Sequence, residues 1–370
     1  MSQKRILIIS RSFYPTVSPR SFRATELAKE FAREGHKVQV ITSFKSDVNY
    51  EKLSASLGVE FKNYGKESFR IIRYNGNGLL RIIVMMVNRL LLMLFEFPDI
   101  QIMRLVARAL KEENGHDLLI SVAVPYPVHW GVAWARNSRH RIATTWVADC
   151  GDPYMGDRID TVRKLFYFKY VEKWFCRKAD YITVPTLESI EGYYEEFRNK
   201  IKIIPQGFNF NEVKYSGKAF NEPIRFAYAG NIIPVNRDPR PFLDFLSTLS
   251  CDFIFTIFTR KVDLIKEFKS KLGAKLEIRD YIPRDELLPL LASMDFLVNF
   301  DNNTTIHTPS KLIDYAIVKR PILNIKSDLD KSLISSFLSR DYTRAYKIDN
   351  MEQYNIINIA KNFLDLVGCC

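Results

Sequence analysis

Short apolar runs alternate along the whole chain with longer segments whose apolar positions recur at helical spacing. Residues 4–10 carry the first run, behind two basic residues, and read as a buried strand. The loop RSFYPTVSPR follows, then residues 21–34 read as a helix with Phe22, Leu27, Ala28 and Phe31 on its inner face. Gly35 ends that helix, and residues 38–42 form the next strand. A strand, a loop, a helix and a strand in that order predict a parallel sheet, hence an α/β fold. Further strands are expected at 69–74, 117–122, 142–148, 179–185 and 201–205, with a helix over 161–177. Residues 214–223 are polar and short, and read as a linker. Beyond it come strands at 224–229, 253–259, 275–282 and 295–300, and helices at 264–272, from 283, near 331–338 and over 351–366.

Residues 79–110 break this rhythm. Their apolar run is interrupted by Arg81, Asn88, Arg89 and Glu96, and Pro98 divides it into two helices. A membrane-spanning helix needs about 20 apolar residues, so spanning is not expected. Two readings stand: a pair of buried domain helices, or an interfacial surface. In the second, Leu, Met and Phe enter lipid while Arg81, Arg89, Arg104 and Arg108 meet headgroups.

Composition adds three constraints. A length of 370 residues is long for one core, so two domains are expected. The net charge of +12 favours anionic partners: nucleotides, phospholipid headgroups or nucleic acid. No RNA- or DNA-binding motif accompanies it, which makes nucleic acid the weakest of the three. The five cysteines show no C-x-x-C spacing, which argues against a zinc ribbon and fits a reducing cytoplasm. The opening MSQKRILIIS becomes strand-like too quickly for an export signal.

The densest chemistry lies in NTTIHTPSKLIDYAIVKRPILNI, residues 303–325. Thr308 suits a helix N-cap and Pro309 the first helical position, and Pro321 ends the helix near Val318. Leu312, Ile313, Ala316 and Ile317 share one side of that helix, and Ser310, Lys311 and Asp314 another. A helix start with a lysine suits phosphate. A carboxylate one turn further in suits a sugar diol, which needs an acceptor. Together they fit a ribose joined to a diphosphate.

Pro309-Ser310-Lys311, Asp314-Tyr315 and Lys319-Arg320-Pro321-Ile322-Leu323 resemble the donor-site signature of family 4 glycosyltransferases with the GT-B fold. The family's usual pair of glutamates is spaced E-x7-E. Asp314 takes the place of the second, Ile306 falls at the first, and Val318 replaces the usual glycine. Gly35-His36-Lys37-Val38 and Thr42 are similar to the family's first β-α-β unit, although Ser18-Pro19 stands where glycines are usual. Asp149 and Asp152, with Tyr154, resemble D-x-x-D-P-W, and Gln206-Gly207-Phe208-Asn209 resembles P-N-G-x-D. In the second half, Gly230 after its strand and Pro283-Arg284-Asp285-Glu286-Leu287 complete the likeness, with Asn231 where the family has an arginine.

The resemblance implies two Rossmann-like domains facing across a cleft. Residues 1–213 would bind the acceptor and 214–350 the donor, and 351–370 would cross back to the first domain. It implies a retaining transferase that moves a sugar from a nucleotide-diphosphate sugar to a glycan or lipid-linked acceptor, in cell-surface polysaccharide or glycolipid synthesis. The implied donor site is Gly230, Arg260, Tyr281, Ile282, Thr308, Pro309, Ser310, Lys311 and Asp314. Lys311, Arg237 and Asp152 would carry the chemistry, and Ser18, Arg20 and Asp149 would face the acceptor. Plain alternatives stand beside these: solvated arginines at the start of the first helix (Arg20, Arg23) and at Arg237, and turn chemistry at Asp149–Asp152.

Transfer leaves negative charge on the departing diphosphate, which a metal, cations or helix N-termini can neutralise. No D-x-D motif stands in a donor position, and Asp328-x-Asp330 lies in a polar turn. No metal or cofactor is therefore expected, the nucleotide sugar being a substrate. The expected location is the cytoplasm, with peripheral contact to the inner face of an anionic membrane left open. Rival readings are a nucleotide-sugar epimerase of the same fold and a non-catalytic, hinge-type sugar-binding protein. A dehydrogenase is disfavoured because no G-x-G-x-x-G follows the first strand.

Overall fold

A computed structural model describes residues 2–74, 76–156, 164–211, 219–234, 237–301, 310–326 and 328–368, with only the main chain of Ser310. The chain forms two units: 1–209 with 352–370, and 210–351.

The first unit begins with β1 (Arg5–Ser10), α1 (Pro19–Arg33), β2 (Lys37–Thr42), α2 (Tyr50–Leu57) and β3 (Val59–Asn63). Helices α3 (Leu79–Phe95) and α4 (Ile100–Ala109) precede β4 (His116–Val122), α5 (Pro127–Ala135), β5 (Ala143–Asp149), α6 (Phe168–Lys178), β6 (Tyr181–Val184) and β7 (Ile201–Ile203). All seven strands are parallel, in the order β3-β2-β1-β4-β5-β6-β7. Alternate residues of each strand feed opposite faces. Leu7, Ile9, Leu119 and Trp146 pack with α4, α5 and α6, while Ile6, Ile8, Val40 and Ile120 pack with α1.

The second unit holds β8 (Ile224–Ala229), α7 (Arg240–Ser247), β9 (Phe253–Phe258), α8 (Phe268–Leu272), β10 (Leu276–Arg279), α9 (Arg284–Ala292), β11 (Phe296–Phe300), α10 (Ser310–Ile317), β12 (Ile322–Ile325) and α11 (Lys331–Leu338). Its five strands are parallel in the order β10-β9-β8-β11-β12. Helices α9 and α10 cover one face, and α7, α8 and α11 the other. The last helix, α12 (Ile356–Leu364), returns to the first unit, where Ile356, Ile359 and Phe363 join the core beneath α1. Gly207 makes room for it, because a Cβ there would strike Ile356.

The α/β architecture and most elements match the sequence expectations, and the exceptions have physical causes. Residues 69–74 are not a strand. Side-chain amides satisfy their main chain instead: Asn88 bonds Ile72 N–H and C=O at 3.0 and 2.8 Å, and Gln101 accepts from Ser68 and Phe69 N–H at 2.7 and 2.8 Å. The sheet edge is β3, reached through α2, a pair the sequence pattern missed. Asn49 caps α2 and Gly58 closes it in the left-handed conformation. The helix expected over 264–272 is a turn at Val262–Leu264 followed by the short α8. Helix α6 starts later than expected, and residues 161–163 lie outside the described residues. In α1 the inner face carries Arg23, with Phe22 only half-buried against Phe208, so a solvated Arg23 is ruled out.

Candidate active site

In an open parallel sheet, ligands bind at the carboxyl edge where the winding reverses. In the second unit that point lies between β8 and β11. Gly230 follows β8 at φ +154°, and a Cβ there would come 3.2 Å from Tyr228 Oη and 3.6 Å from Lys311 Cδ. Lys311 reaches this edge from α10. The Ala229 N–H donates to Tyr315 Oη at 2.9 Å, which ties α10 to the end of β8 one turn beyond Lys311.

Part of the Lys311 stem is accessible, but its Nζ is buried and has no hydrogen-bond partner among the described residues. The ammonium lies 4.3 Å from the centre of the Tyr228 ring. Burial first, then the positive charge of Arg237, lowers it to about 7, against a partial opposing effect of Asp301 at the end of β11. Arg237 is held by paired main-chain bonds with Ile233, 2.8 and 3.3 Å long. Arg237 is half-buried, and its positive charge acts on the buried Lys311 Nζ. A depressed lysine beside a second cation is the arrangement that an anion relieves.

The other expected donor residues flank this point. Asp314, also on α10, accepts from Arg284 Nε at 2.8 Å, and Arg284 opens α9. Sequence reasoning gave Arg284 no role. Its signal was a cation at a helix start beside Tyr281 and Ile282, the residues expected to meet the base. Tyr281 is 45% exposed, with the Arg260 guanidinium 4.3 Å from its ring centre, and Ile282 is half-buried. Thr308 and Pro309 lie outside the described residues, as does the Ser310 side chain. Asp330 caps α11 and pairs with Arg344 at 2.7 Å, in keeping with turn chemistry at Asp328-x-Asp330.

The first unit brings its own candidates to the corresponding edge. Ser18 caps α1, accepting from Ser21 N–H at 3.1 Å. Arg20 lies against Gly151, where any Cβ would collide with its guanidinium. Asp149 is buried, and its carboxylate is engaged internally. Arg23 Nε and Nη2 donate to it at 3.1 and 2.9 Å, and Thr183 Oγ1 at 2.7 Å. Burial alone would raise this carboxyl, but Arg23, Arg20 and Thr183 hold it below its ordinary range. Asp149 therefore anchors α1 to β5 instead of presenting a free group to solvent.

The Asp152 side chain is exposed. Its loop is fixed by Tyr126, whose hydroxyl donates to the Asp152 C=O, and by Glu172, which accepts from Tyr154 and Met155 N–H at 3.2 and 3.3 Å. Sequence reasoning gave Glu172 no role, and it weighed Arg23 only as an acceptor-facing or solvated cation, never as the buried partner of Asp149. For Arg23 a signal existed, since it falls four residues before Leu27 on the apolar stripe of α1.

Known proteins share this architecture. A sequence model described as Glycosyltransferase Family 4 matches residues 22–212. No curated protein sequence matches the chain. Among solved structures, a glycosyltransferase from Rickettsia africae ESF-5 aligns with a TM-score of 0.62 at 11% identity, covering 100% of both chains. Anabaena Alr3699/HepE, solved in complex with UDP and glucose, aligns at 0.55 with 11% identity over 100% of both chains. TarM aligns at 0.60 with 12% identity over 100% of this chain and 99% of its own. At these identities the likeness is one of fold.

Proposed function

The chain belongs to glycosyltransferase family 4, and from that premise we propose that it moves a sugar from a nucleotide-diphosphate sugar to a glycan or lipid-linked acceptor in cell-surface glycan synthesis. The observation that carries the donor assignment is the buried Lys311 ammonium, without a hydrogen-bond partner among the described residues and acted on by the charge of Arg237. The UDP and glucose of the Anabaena neighbour support a nucleotide sugar as donor.

In this reading the diphosphate lies over Gly230 with Lys311 and Arg237 on its oxygens, Asp314 accepts from the ribose hydroxyls, and Arg260 and Tyr281 stand near the base. The anomeric C–O bond to the diphosphate breaks and a bond to an acceptor hydroxyl oxygen forms. With retention, that hydroxyl attacks from the leaving-group face and gives its proton to the departing diphosphate. Two cations neutralise the charge that grows there, a contribution of several kcal/mol where such groups are preorganised. Ser18, Arg20 and the exposed Asp152 serve the acceptor side, and Asp149 positions Arg23.

The test is a calorimetric screen with UDP, GDP and the matching nucleosides, followed by hydrolysis assays on the sugar conjugates. Lys311→Ala should weaken the nucleoside diphosphate at least tenfold and the nucleoside little. Equal losses for both, or tight binding of a free sugar without any nucleotide, would overturn the assignment.

A further inference from the structure

Helix α3 runs for 17 residues without burying one of them. Leu79, Met85, Met86 and Phe95 are 74, 61, 65 and 58% exposed. Residues 69–74 lie along the helix as a strap and leave Ile71 and Ile72 exposed beside it. Both pieces are firmly seated. Arg11 pairs with Glu67 before the strap and with Asp99 after α3, each at 2.8 Å. At the end of α3, the Lys164 ammonium meets buried Glu96 at 2.8 Å, and the Tyr167 hydroxyl donates to the Leu94 C=O. A fixed, contiguous apolar ridge of this kind marks an interaction surface.

Charge selects what covers it. Between Phe69 and Phe95 every charged residue is an arginine: Arg70, Arg73, Arg81 and Arg89, all exposed. A second copy joined about a two-fold axis would set this basic ridge against itself. A surface of anionic headgroups over hydrocarbon satisfies both the arginines and the apolar side chains. No helix among the described residues is long and apolar enough to cross a membrane, so a contact of α3 with a bilayer would be in its plane. Helix α4 does not share this role, because Ile102 and Val106 bury it in the core.

We propose that α3 and the strap 69–74 form a membrane-docking ridge that seats in the headgroup layer of an anionic bilayer. The proposal is independent of which donor or acceptor the enzyme uses.

Vesicle flotation of the full chain tests it. The protein should float with phosphatidylcholine vesicles containing about one-third phosphatidylglycerol, stay behind with phosphatidylcholine alone, and be released by salt. Arg81→Gln with Arg89→Gln should weaken binding on the order of 30-fold, about fivefold per arginine, from the ~1 kcal/mol each basic residue gains at such a surface. Ile83→Glu with Met86→Glu should abolish flotation with melting temperature unchanged, since neither side chain is buried. Flotation unaffected by that double variant overturns the proposal. So does a dimer in solution that the same variant dissociates while no vesicle binding is seen. UDP binding without vesicles should be unchanged in every variant, which separates this outcome from the donor assignment.

Discussion

Lys311 holds its ammonium 4.3 Å from the centre of the Tyr228 ring, and no hydrogen-bond partner among the described residues satisfies it. Burial and Arg237 lower its proton affinity to about 7, so near neutral pH the empty site is only partly charged. A bound diphosphate favours the charged form and draws a proton in. The affinity for UDP should then fall about tenfold per unit as pH rises above 7, the limit for one proton. Lys311→Ala should lose that slope and keep whatever slope the nucleotide's own titration gives. Calorimetry in two buffers of different ionisation enthalpy reads the proton uptake directly. Absence of uptake near pH 8 would remove Lys311 from the diphosphate site. For folding the sign is opposite to that of a salt-bridged lysine. The unfolded chain binds the extra proton between about 7 and 10.4, so this group makes stability rise with pH across that window.

Asp314 and Arg284 form the second testable relationship, 2.8 Å apart between α10 and α9. If Asp314 accepts from the ribose hydroxyls, Asp314→Ala should cost UDP about 1.5–3 kcal/mol, the range for a hydrogen bond to a charged group. The same substitution should leave 2′,3′-dideoxy-UDP binding unchanged. Arg284→Ala should weaken UDP and uridine alike, because it disorders the acceptor and spares the diphosphate. Titration of the two nucleotides against both variants decides it. A loss shared by the dideoxy compound would make Asp314 a structural anchor of α9.

The parts legible in the sequence are those where one period dominates. The apolar strand runs stand as expected, and so do Leu312, Ile313 and Ile317 on the inner stripe of α10, although Ala316 is only half-buried and Tyr315 and Val318 are buried as well. Lys311 and Asp314 could be placed on one helix because their spacing is local. The partners could not. Arg237, Asp301, Tyr228 and Arg284 reach α10 from other strand ends and another helix start, through sheet order that no local pattern encodes. Residues 69–74 illustrate the opposite failure, in which the expected strand gives way to a main chain satisfied by two side-chain amides. Arg23 was misjudged because a cation at a helix start is commonly solvated, whereas here a buried carboxylate awaits it.

Arg23 and Asp149 are each nearly inaccessible, and Arg23 also bonds the Ile204 C=O at 3.1 Å and lies 5.2 Å above the Phe363 ring of α12. Asp149→Ala leaves a buried cation unpaired and should destabilise the first unit by about 3–5 kcal/mol. Phe363→Ala should cost about 3–5 kcal/mol through the cavity it opens. The two losses should not add, since both act on Arg23. Because the folded Asp149 carboxyl lies below its unfolded value, its contribution is present above about pH 4 and lost as pH falls through the folded value. Urea titrations of both variants at neutral pH and near pH 3 test this. A penalty for Asp149→Ala that persists undiminished in acid would show that packing, not the ion pair, is at stake.

Glu172 gives the reverse pH signature. One carboxylate oxygen accepts from Tyr154 and Met155 N–H, and the other is buried without a partner among the described residues. Burial raises this carboxyl to about 7, with the two main-chain bonds opposing. Tyr126, Cys150, Tyr154, Cys176 and Tyr194 are the titratable side chains whose shifts include a contribution from it, and all five stay neutral through this range. The folded chain therefore holds a proton that the unfolded chain gives up between about 4.3 and 7, and stability should decline as pH rises through that window. Glu172→Gln keeps the acceptor for the loop of Asp152 and removes the titration. Its melting temperature should vary less between pH 5 and 8 than the parent's. Glu172→Ala should be less stable throughout and should lower turnover more than donor affinity, because the Asp152 loop loses its tether. A Gln variant with the parent's pH slope would assign that slope to another group.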